Sequence, residues 1–349
     1  MTTNSRKSTA DSNAGTYNTK AQAITELQRL RQRGMNVIIN IDGQQEGKII
    51  INGYEFTLGC FNTAKYNVST RILLDYLLMR FSEILPFGRG ATPETVFKTS
   101  TVTVTLDEFM AMRGLKDKKN ARIQFRETAH TLLNVGMRFD YTIKHRKGKK
   151  TIEERARVDG YLFITTISIR TGDEDPLQNS RITFRINYDF VYYLCNRSIM
   201  PVDVKMFAIN PHKNPHSYNI MRKLTEHYDY NATKKNEPVR ISVRAILEYC
   251  PELLNLDEVN DRHQAQLIMK PIDRDLNALE DTYSLIKHQY SHSKGKTLTD
   301  DELEKMPFAT WLDLMIEYYL PDYPVETAKR VRKLQNEEAQ QEDTVIIPA

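Results

Sequence analysis

Two stretches of the chain carry arginine, lysine and glutamine side chains at the spacing of a helix face. They comprise Lys118, Lys119, Arg122, Gln124 and Arg126 in the first, and Arg262, Gln266, Lys270 and Arg274 in the second. An arginine can donate two hydrogen bonds to guanine, and a glutamine can pair with adenine in a similar way. Side chains of these types on a helix therefore predict recognition of base edges in the major groove of DNA.

A lysine-rich hairpin follows the first stretch and suits contacts with phosphates. Its basic residues are Lys144, Arg146, Lys147, Lys149 and Lys150. Between Arg113 and Lys150 the chain holds 12 Lys/Arg against 3 Asp/Glu, a local charge of +9 in a chain whose net charge is +4. Phosphate contacts position a protein on DNA, while base contacts specify the sequence. For each feature taken alone, an ordinary solvated surface is the alternative.

The first basic stretch lies in a predicted helix that follows a shorter one. Thr105 with Glu108 is a capping-box signature for the shorter helix, and Gly114 can end it. Asp117 can cap the basic helix. The buried stripe of that helix comprises Ala121, Phe125, Ala129, Leu132 and Leu133. A strand over Arg138–Lys144 and the lysine-rich tip then complete the order expected of a helix-turn-helix with a wing.

The same order of elements is predicted a second time in the C-terminal half. Residues Ile241–Leu247 match Val104–Met110 as a β-branched residue, a Ser/Thr cap, an aliphatic residue, two variable positions and two apolar ones. In each case an apolar helix precedes the match and a basic helix follows it. The second basic helix is predicted over Asp261–Leu279, with Pro271 as a kink or a fresh start. A strand over Tyr283–Tyr290 and the turn after it would serve as the second wing.

The sequence therefore predicts an α+β chain of two tandem winged-helix domains with an N-terminal helix and β-hairpin extension. A Ser/Thr/Asn-rich tail over 1–19 is expected to be disordered. The extension covers 20–64, the first winged-helix domain 65–200, the second 201–325, and a charged tail 326–349.

Further elements are predicted around these two units. The extension should contain a helix over Lys20–Arg33 and three short strands, with Asn52-Gly53 as a two-residue hairpin signal. Ser69 is expected to cap a long apolar helix at the start of the first domain. Helices are also predicted over Asp189–Cys195 and over Trp311–Tyr319.

Composition excludes a membrane-spanning chain and favours a globular one. The 349 residues are enough for two ordinary domains, and 40% of them are apolar. No apolar run approaches the roughly 20 residues of a membrane span, and the N-terminus has no signal-peptide core. The cysteines Cys60, Cys195 and Cys250 lie far apart beside apolar residues, which predicts buried free thiols. We therefore expect a cytoplasmic protein without membrane partners.

No set of residues in the sequence predicts catalysis. The run Gly295–Thr297 ends like a phosphate-binding loop, but that motif needs a glycine five positions earlier, where Tyr290 stands. His212 and His216 are separated by a turn-like Lys-Asn-Pro spacer, which fits a metal-binding pair on a strand poorly. No Asp-x-Asp pattern lies on a predicted strand to hold Mg²⁺. We therefore expect no enzyme activity, no metal and no cofactor.

The chain resembles the iteron-binding plasmid replication initiator proteins over about residues 65–290. In the first half the resemblance rests on the helix Arg71–Phe81 before TVTVTLDEFMAMRGL, on NARIQFRETAHTLL and on RITFRINYDFVYYL. In the second half it rests on RKLTEHY, VRISVRAILEY and LIMKPIDRDLNAL. The N-terminal extension and the acidic C-terminal end lie outside it.

This resemblance implies that both basic helices enter the major grooves of one directly repeated origin site in double-stranded DNA. It also implies a homodimer interface in the first domain, with monomers opening the origin and dimers repressing their own gene. Recruitment of host initiator or helicase proteins would follow.

Three alternatives remain open from the sequence. The first is a winged-helix transcriptional regulator, although repressors more often use one motif per subunit on a palindrome. The second is an origin-nicking enzyme or primase. The third is a partition or adaptor protein whose basic helix faces an acidic partner.

Overall fold

The computed structural model describes residues 36–39, 48–51, 54–57, 67–84, 101–133, 136–147, 150–161, 163–168, 181–187, 199–250, 253, 259, 261–321 and 323–330. Within these ranges the chain is an α+β protein with small antiparallel sheets, as the sequence predicts. The predicted tail 1–19, the helices predicted over Lys20–Arg33 and Asp189–Cys195, and the chain after 330 lie outside the described residues.

In the described part of the first half there are twelve elements. They are β1 (Asn36–Ile39), β2 (Lys48–Ile51), β3 (Tyr54–Thr57), α1 (Val68–Ile84), β4 (Thr101–Thr105), α2 (Leu106–Arg113), α3 (Lys118–Leu133), β5 (Gly136–Lys147), β6 (Lys150–Tyr161), β7 (Phe163–Ser168), β8 (Arg181–Ile186) and β9 (Ile199–Val202). The three strands predicted for the N-terminal extension are thus present as β1, β2 and β3.

A short 3-10 turn, Val204–Ala208, leads into the second half. Its elements are α4 (Ser217–Asn231), β10 (Val239–Ser242), α5 (Val243–Leu247), α6 (Arg262–Asn277), one π-helical turn (Ala278–Thr282), β11 (Lys287–Ser291), α7 (Asp300–Glu304), α8 (Phe308–Leu312) and β12 (Met315–Tyr319). Both halves therefore contain the order long helix, strand, short helix, basic helix and two strands, and the repeat inferred from the sequence is present in the structure.

Side-chain caps define where the helices begin. The predicted capping box is confirmed, because Thr105 Oγ1 accepts a hydrogen bond from the Glu108 amide and the Glu108 carboxylate accepts one from the Thr105 amide. Ser242 caps α5 by accepting from the Ala245 amide. For α1, the cap is Asn67 rather than the predicted Ser69, because its side-chain oxygen lies 2.8 Å from the Thr70 amide nitrogen.

Each half contains a three-stranded antiparallel sheet with the same strand order. The sheets are β4-β8-β7 and β10-β12-β11, so in both the strand before the short helix pairs with the last strand of the unit. The helix predicted over Trp311–Tyr319 is wrong in its second part, since β12 is the central strand of the second sheet. Its alternate residues Ile316 and Tyr318 are buried, which is the period of a strand.

The lysine-rich hairpin was predicted as the wing of the first unit, but its strands belong to a separate sheet. Strands β5 and β6 join β2 and β3 in a four-stranded sheet, β2-β3-β5-β6, while β7 and β8 complete the sheet of the first unit. The strands that correspond to β11 and β12 of the second half are therefore β7 and β8. The hairpin Gly136–Tyr161 is an insertion between α3 and β7, and its strand β5 pairs with β3 of the N-terminal extension.

The N-terminal strand β1 lies beside β9, the last strand of the first half. It pairs antiparallel with β9, from Asn36 opposite Val202 to Ile39 opposite Ile199. At the other end of the chain, the first residues of the predicted charged tail are described up to residue 330. Residues 325–330 are helical, and Thr327 and Ala328 are buried.

Aromatic side chains fill the core of the first half. Phe109 of α2 stacks on Phe125 of α3 at a centroid distance of 4.7 Å, and Phe81 of α1 stacks on Phe163 of β7 at 5.7 Å. These pairs bury the apolar faces of the three helices against the sheet, so the basic face of α3 is left towards solvent. Helix α6 has a mostly aliphatic buried stripe and packs against α4 and against α8, the helix that contains Trp311.

Candidate nucleic-acid interface

Helices α3 and α6 occupy equivalent places and have the same length, 16 residues each. Each begins directly after an aspartate whose carboxylate caps it. Asp117 Oδ1 lies 2.9 Å from the Lys119 amide nitrogen, and Asp261 Oδ1 lies 2.7 Å from the Gln264 amide nitrogen. Because the caps fix the first turn of both helices, residues can be compared by counting from the aspartate.

The two helices bury the same positions. The matching buried pairs are Ala121 and Ala265, Phe125 and Met269, Thr128 and Ile272, and Leu132 and Leu276. Spacings of three and four residues place each set on one face. Pro271 does not mark a fresh start, because Arg262–Asn277 is one continuous helix with the proline inside.

The opposite faces carry matching residue types. They comprise Lys119, Ile123, Arg126 and His130 on α3, and His263, Leu267, Lys270 and Arg274 on α6. All are exposed except Arg126, which is half-buried. Ile123, His130, His263 and Leu267 were not among the predicted site residues. Counting from the two capping aspartates would have found them, because they stand at equal distances from Asp117 or Asp261.

The remaining predicted residues of α3 differ in how they are held. Lys118 is paired with Asp107 of α2 at 3.5 Å, in a solvent-exposed geometry that contributes little to stability. Gln124 is half-buried. Arg122 is only 9% exposed, so its prediction as a groove-facing residue needs correction. Arg122 directly follows the buried Ala121, and successive helix residues are about 100° apart, so its side chain lies at the flank of the buried face of α3.

On α6, Arg262 is exposed and Gln266 is half-buried. Arg274 Nε lies 2.9 Å from Oδ1 of the fully buried Asp275. The other oxygen of Asp275 accepts hydrogen bonds from the backbone amides of His216 and Ser217, at 2.7 and 3.1 Å. This carboxylate therefore fixes the start of α4 and the position of Arg274 together.

A groove of about 850 Å³ runs between α6 and β11. Its lining includes Arg262, Gln266 and Lys270, but also Asp273, Glu280, Asp281 and Glu304. Burial raises the pKa of Asp273 to about 6, although the Tyr290 hydroxyl that donates a hydrogen bond to this carboxylate acts in the other direction. Since phosphates are repelled by carboxylates, the exposed face of α6 is better suited to DNA than this acidic groove.

The predicted phosphate contacts of the hairpin lie on β5 and β6. In the backbone register Lys144 stands opposite Glu153, Arg146 opposite Thr151, and Lys147 opposite Lys150. Lys149 lies outside the described residues.

A buried cluster of charges joins α1 of the first half to α4 of the second. The carboxylate oxygen Oδ2 of Asp75 lies 3.2 Å from Arg71 Nε, 2.9 Å from Arg222 Nε and 2.9 Å from the Tyr218 hydroxyl, which donates to it. Burial by itself would raise the pKa of Asp75, but the two guanidinium groups and the hydroxyl hold it below its ordinary value. The carboxylate is thus charged at neutral pH and links both halves.

A second polar contact holds α2 against the connecting segment. The buried Arg113, at the end of α2, donates hydrogen bonds to the carbonyl oxygens of Phe207 and Ile209 at 2.6 and 3.0 Å. Burial lowers the pKa of Arg113 to about 10, which leaves the side chain charged at neutral pH. Tyr76 packs edge-on against Phe207 at 5.7 Å. The two halves, each with its basic helix, are therefore joined through the Asp75 cluster and through the connecting segment.

Other chemistry finds little support in the described part of the chain. No group of three or more His, Cys, Asp or Glu side chains there could hold a metal ion. No described helix is long and apolar enough to cross a membrane. His216 contributes its backbone amide to the Asp275 contact, and the thiol of Cys250 is buried, as predicted. Cys60 and Cys195 lie outside the described residues.

No protein-family model and no curated protein matches the sequence. Among solved structures, the chain is similar to a crystal structure of domains 2 and 3 of RctB, with 11% identity and a TM-score of 0.37, over 82% of this chain and 94% of that one. A selenomethionine form of the same domains aligns with the same identity and TM-score over 79% of this chain and 90% of that one. A TM-score at this level does not establish a shared fold.

Proposed function

We propose that the chain is a sequence-specific double-stranded DNA-binding protein that initiates replication by binding directly repeated origin sites through two winged helices. The observation that carries this proposal is the equivalence of α3 and α6. Two capped helices of equal length present basic side chains at equal positions, and both are held on the same arrangement of a short helix and a three-stranded sheet.

The winged-helix assignment rests on element order and pairing. In each half a strand leads into a capped short helix, a basic helix follows it, and two further strands return to pair beside the first strand. In the helix-turn-helix arrangement the second helix enters the major groove. Strands β7 and β8 form the first wing, β11 and β12 the second, and the hairpin of β5 and β6 adds a further basic arm.

Origin binding follows from the presence of two different recognition helices in one chain. A single chain with two unlike helices suits an asymmetric site, and several copies would then bind a row of direct repeats. The Asp75 cluster favours a defined spacing between the two contacts, since it connects α1 with α4. The resemblance to iteron-binding initiators supports the same function, with a homodimer interface in the first half and host initiator or helicase proteins as partners. The role is one of binding rather than catalysis.

The test is a selection of preferred duplexes from a randomised library, followed by footprinting on the selected site. We expect a single asymmetric site protected over two adjacent major grooves. Arg126→Ala and Lys270→Ala should each weaken binding to that site by roughly 1–3 kcal/mol and relax the preferred sequence at different positions. Lys234→Ala, in the exposed turn after α4, is the control and should bind like the wild type.

A contrasting result is expected for the hairpin. Lys149→Ala should weaken specific and random duplexes alike and lower the salt dependence of binding by about one unit. Equal losses on specific and random DNA for Arg126→Ala would contradict a role of α3 in base recognition. Protection of only one groove would contradict the role of the second half.

The footprint also separates the rival functions. A palindromic site bound by two chains would indicate a transcriptional regulator instead. Incubation with supercoiled DNA and Mg²⁺ or Mn²⁺ tests for an enzyme, since a covalent tyrosine adduct or a primer product would contradict the non-catalytic role. Absence of salt-sensitive DNA binding would leave an acidic protein partner as the better occupant of the basic faces.

A further inference from the structure

An exposed aliphatic side chain stands at the same position of both basic helices. Ile123 is the sixth residue of α3 and Leu267 the sixth residue of α6. Their exposed fractions are nearly the same, 48% and 49%. Among the described residues only three other large apolar side chains are comparably exposed, namely Ile84, Val204 and Tyr230.

Both aliphatic residues lie in the centre of a basic surface. Residues four before, three after and seven after them share their helix face. On α3 these neighbours are Lys119, Arg126 and His130, and on α6 they are His263, Lys270 and Arg274. A basic residue type thus occupies each of these three positions in both helices, while the residues four after the aliphatic side chain are Glu127 and Pro271.

This pattern differs from the ordinary scatter of apolar residues on a surface. A single exposed leucine needs no explanation. Here, however, the apolar residue recurs at one position in two helices whose other exposed residues are polar or charged. An exposed aliphatic side chain gains nothing from contact with water. It is complementary to a methyl group on a base edge of DNA, while the basic residues around it are complementary to the phosphates on either side. In the major groove that apolar group is the C5-methyl of thymine.

Building on the proposed function, we infer that Ile123 and Leu267 each contact the C5-methyl group of a thymine, one in each half of the DNA site. The flanking basic side chains bind the adjacent phosphates and base edges, and the aliphatic side chain excludes water from the methyl group. The binding site should therefore contain two thymines whose separation is set by the distance between α3 and α6. Since the two residues stand at equal positions, each thymine should lie at the same step from the base contacted by Arg126 or Lys270.

The experiment uses the full chain and the duplex obtained by selection. Each thymine of the site is replaced singly by uracil, which keeps Watson–Crick pairing and the O4 acceptor but removes the methyl group. We expect two positions at which uracil weakens wild-type binding by about fourfold, the effect of losing one buried methyl contact. Ile123→Ala should abolish the uracil effect at one of these positions only, and Leu267→Ala at the other only.

The control variant is Val204→Ala, which shortens an exposed aliphatic side chain outside both helices. It should keep both uracil effects. Circular dichroism melts should be unchanged for all three variants, because the three side chains are exposed. Loss of the uracil effect only in the matching variant also excludes a general change in DNA shape as its cause.

Each other outcome overturns the inference. Specific binding that is insensitive to uracil at every position contradicts the thymine contacts while leaving the proposed DNA-binding function intact. Uracil effects that persist in both variants assign the methyl contacts to other residues. A change of oligomeric mass in Ile123→Ala or Leu267→Ala, without a change in base preference, would assign the two residues to contacts between copies of the chain. Absence of sequence-specific binding would overturn both the inference and the proposed function.

Discussion

The two halves share an arrangement of elements while filling it with different residues. Both place a basic helix of 16 residues on a sheet whose strands pair in the same order. In the first half the helix packs through Phe125, stacked on Phe109, whereas the second half places Met269 and Ile246 at the matching positions. The comparison shows that this arrangement requires caps and an apolar stripe at fixed spacing, and that the shapes of the individual core residues can change together.

The surroundings of the two basic helices differ more than the helices themselves. The first half has an inserted hairpin that forms a four-stranded sheet with β2 and β3. In the second half α6 borders a groove lined by the carboxylates Asp273, Glu280 and Asp281. Basic residues thus extend beyond α3 in the first half, while carboxylates flank α6 in the second. We infer that the first half contributes more of the phosphate contacts and that the second half depends more on the face centred on Leu267.

The largest expected effect concerns the cluster that joins the halves. Asp75→Asn would keep the shape of the side chain but leave Arg71 and Arg222 without their buried counter-charge. Breaking a buried ion pair in this way typically costs about 3–5 kcal/mol. Urea unfolding should show that loss of stability. Separate unfolding transitions for the two halves in the variant, where the wild type has one, would show that the cluster couples the halves. Asp313→Asn is the control, because its pair with Arg244 at 3.3 Å is exposed and should change stability by less than about 0.5 kcal/mol.

The same cluster predicts a pH dependence. The folded pKa of Asp75 is held below its ordinary value, so its contribution to stability is complete above the unfolded carboxyl pKa of about 4. It is lost as the pH falls from there through the depressed value. The difference in stability between wild type and Asp75→Asn should therefore shrink below pH ~4. A constant difference down to pH ~2 would contradict this account.

An opposite pH effect is expected within the second half. Asp273 has a folded pKa raised to about 6 by burial, so the charged form disfavours folding and stability declines as the pH rises from about 4 to about 6. Asp273→Asn should stabilise the protein by about 1–2 kcal/mol above pH ~6, after allowance for partial solvent exposure. Little change is expected near pH ~4. Urea unfolding at pH ~4.5 and ~7.5 measures the difference. Asp281→Asn, an exposed carboxylate of the same groove, should have an effect below about 0.5 kcal/mol at both pH values.

The smallest effect concerns how the short helices end. Helix α2 ends at Gly114, whose φ of 61° is left-handed, whereas α5 ends at Glu248 with a φ of −57°. Gly114→Ala should cost about 1 kcal/mol through backbone strain alone, since an added Cβ would lie 3.9 Å from Ala208 Cβ, an ordinary contact. Glu248→Ala should stay within about 0.5 kcal/mol in thermal melts. Equal losses of stability in Gly114→Ala and Glu248→Ala would contradict the extra strain that the left-handed angle at Gly114 predicts.

Local patterns in the sequence were sufficient to predict most of the two repeated units. Thr105 with Glu108, Gly114, Asp117 and Ser242 mark helix ends through hydrogen bonds between near neighbours, and the structure confirms all four positions. The equivalence of the two basic helices was predicted because a stripe at helical spacing is also a local property. The exposed aliphatic residues could have been found by aligning the helices on their capping aspartates.

Tertiary structure decided what local patterns do not encode. The pairing of β5 with β3 depends on segments far apart in the chain, and alternation in one strand does not specify its partner. The strand β12 was mistaken for helix because a short apolar run fits either period, and only its neighbours β10 and β11 select the strand. Arg122 was predicted to face the groove, but packing at the flank of α3 buries it.

The junction is the clearest case of this division. Asp75 and Arg222 are separated by 146 intervening residues, and nothing around either residue indicates the other. The sequence by itself determined two units, each with a capped basic helix, because caps and stripes act within a few turns of chain. Only the tertiary structure decided that a buried carboxylate links the two units, since a charge can remain buried only where folding supplies its counter-charges.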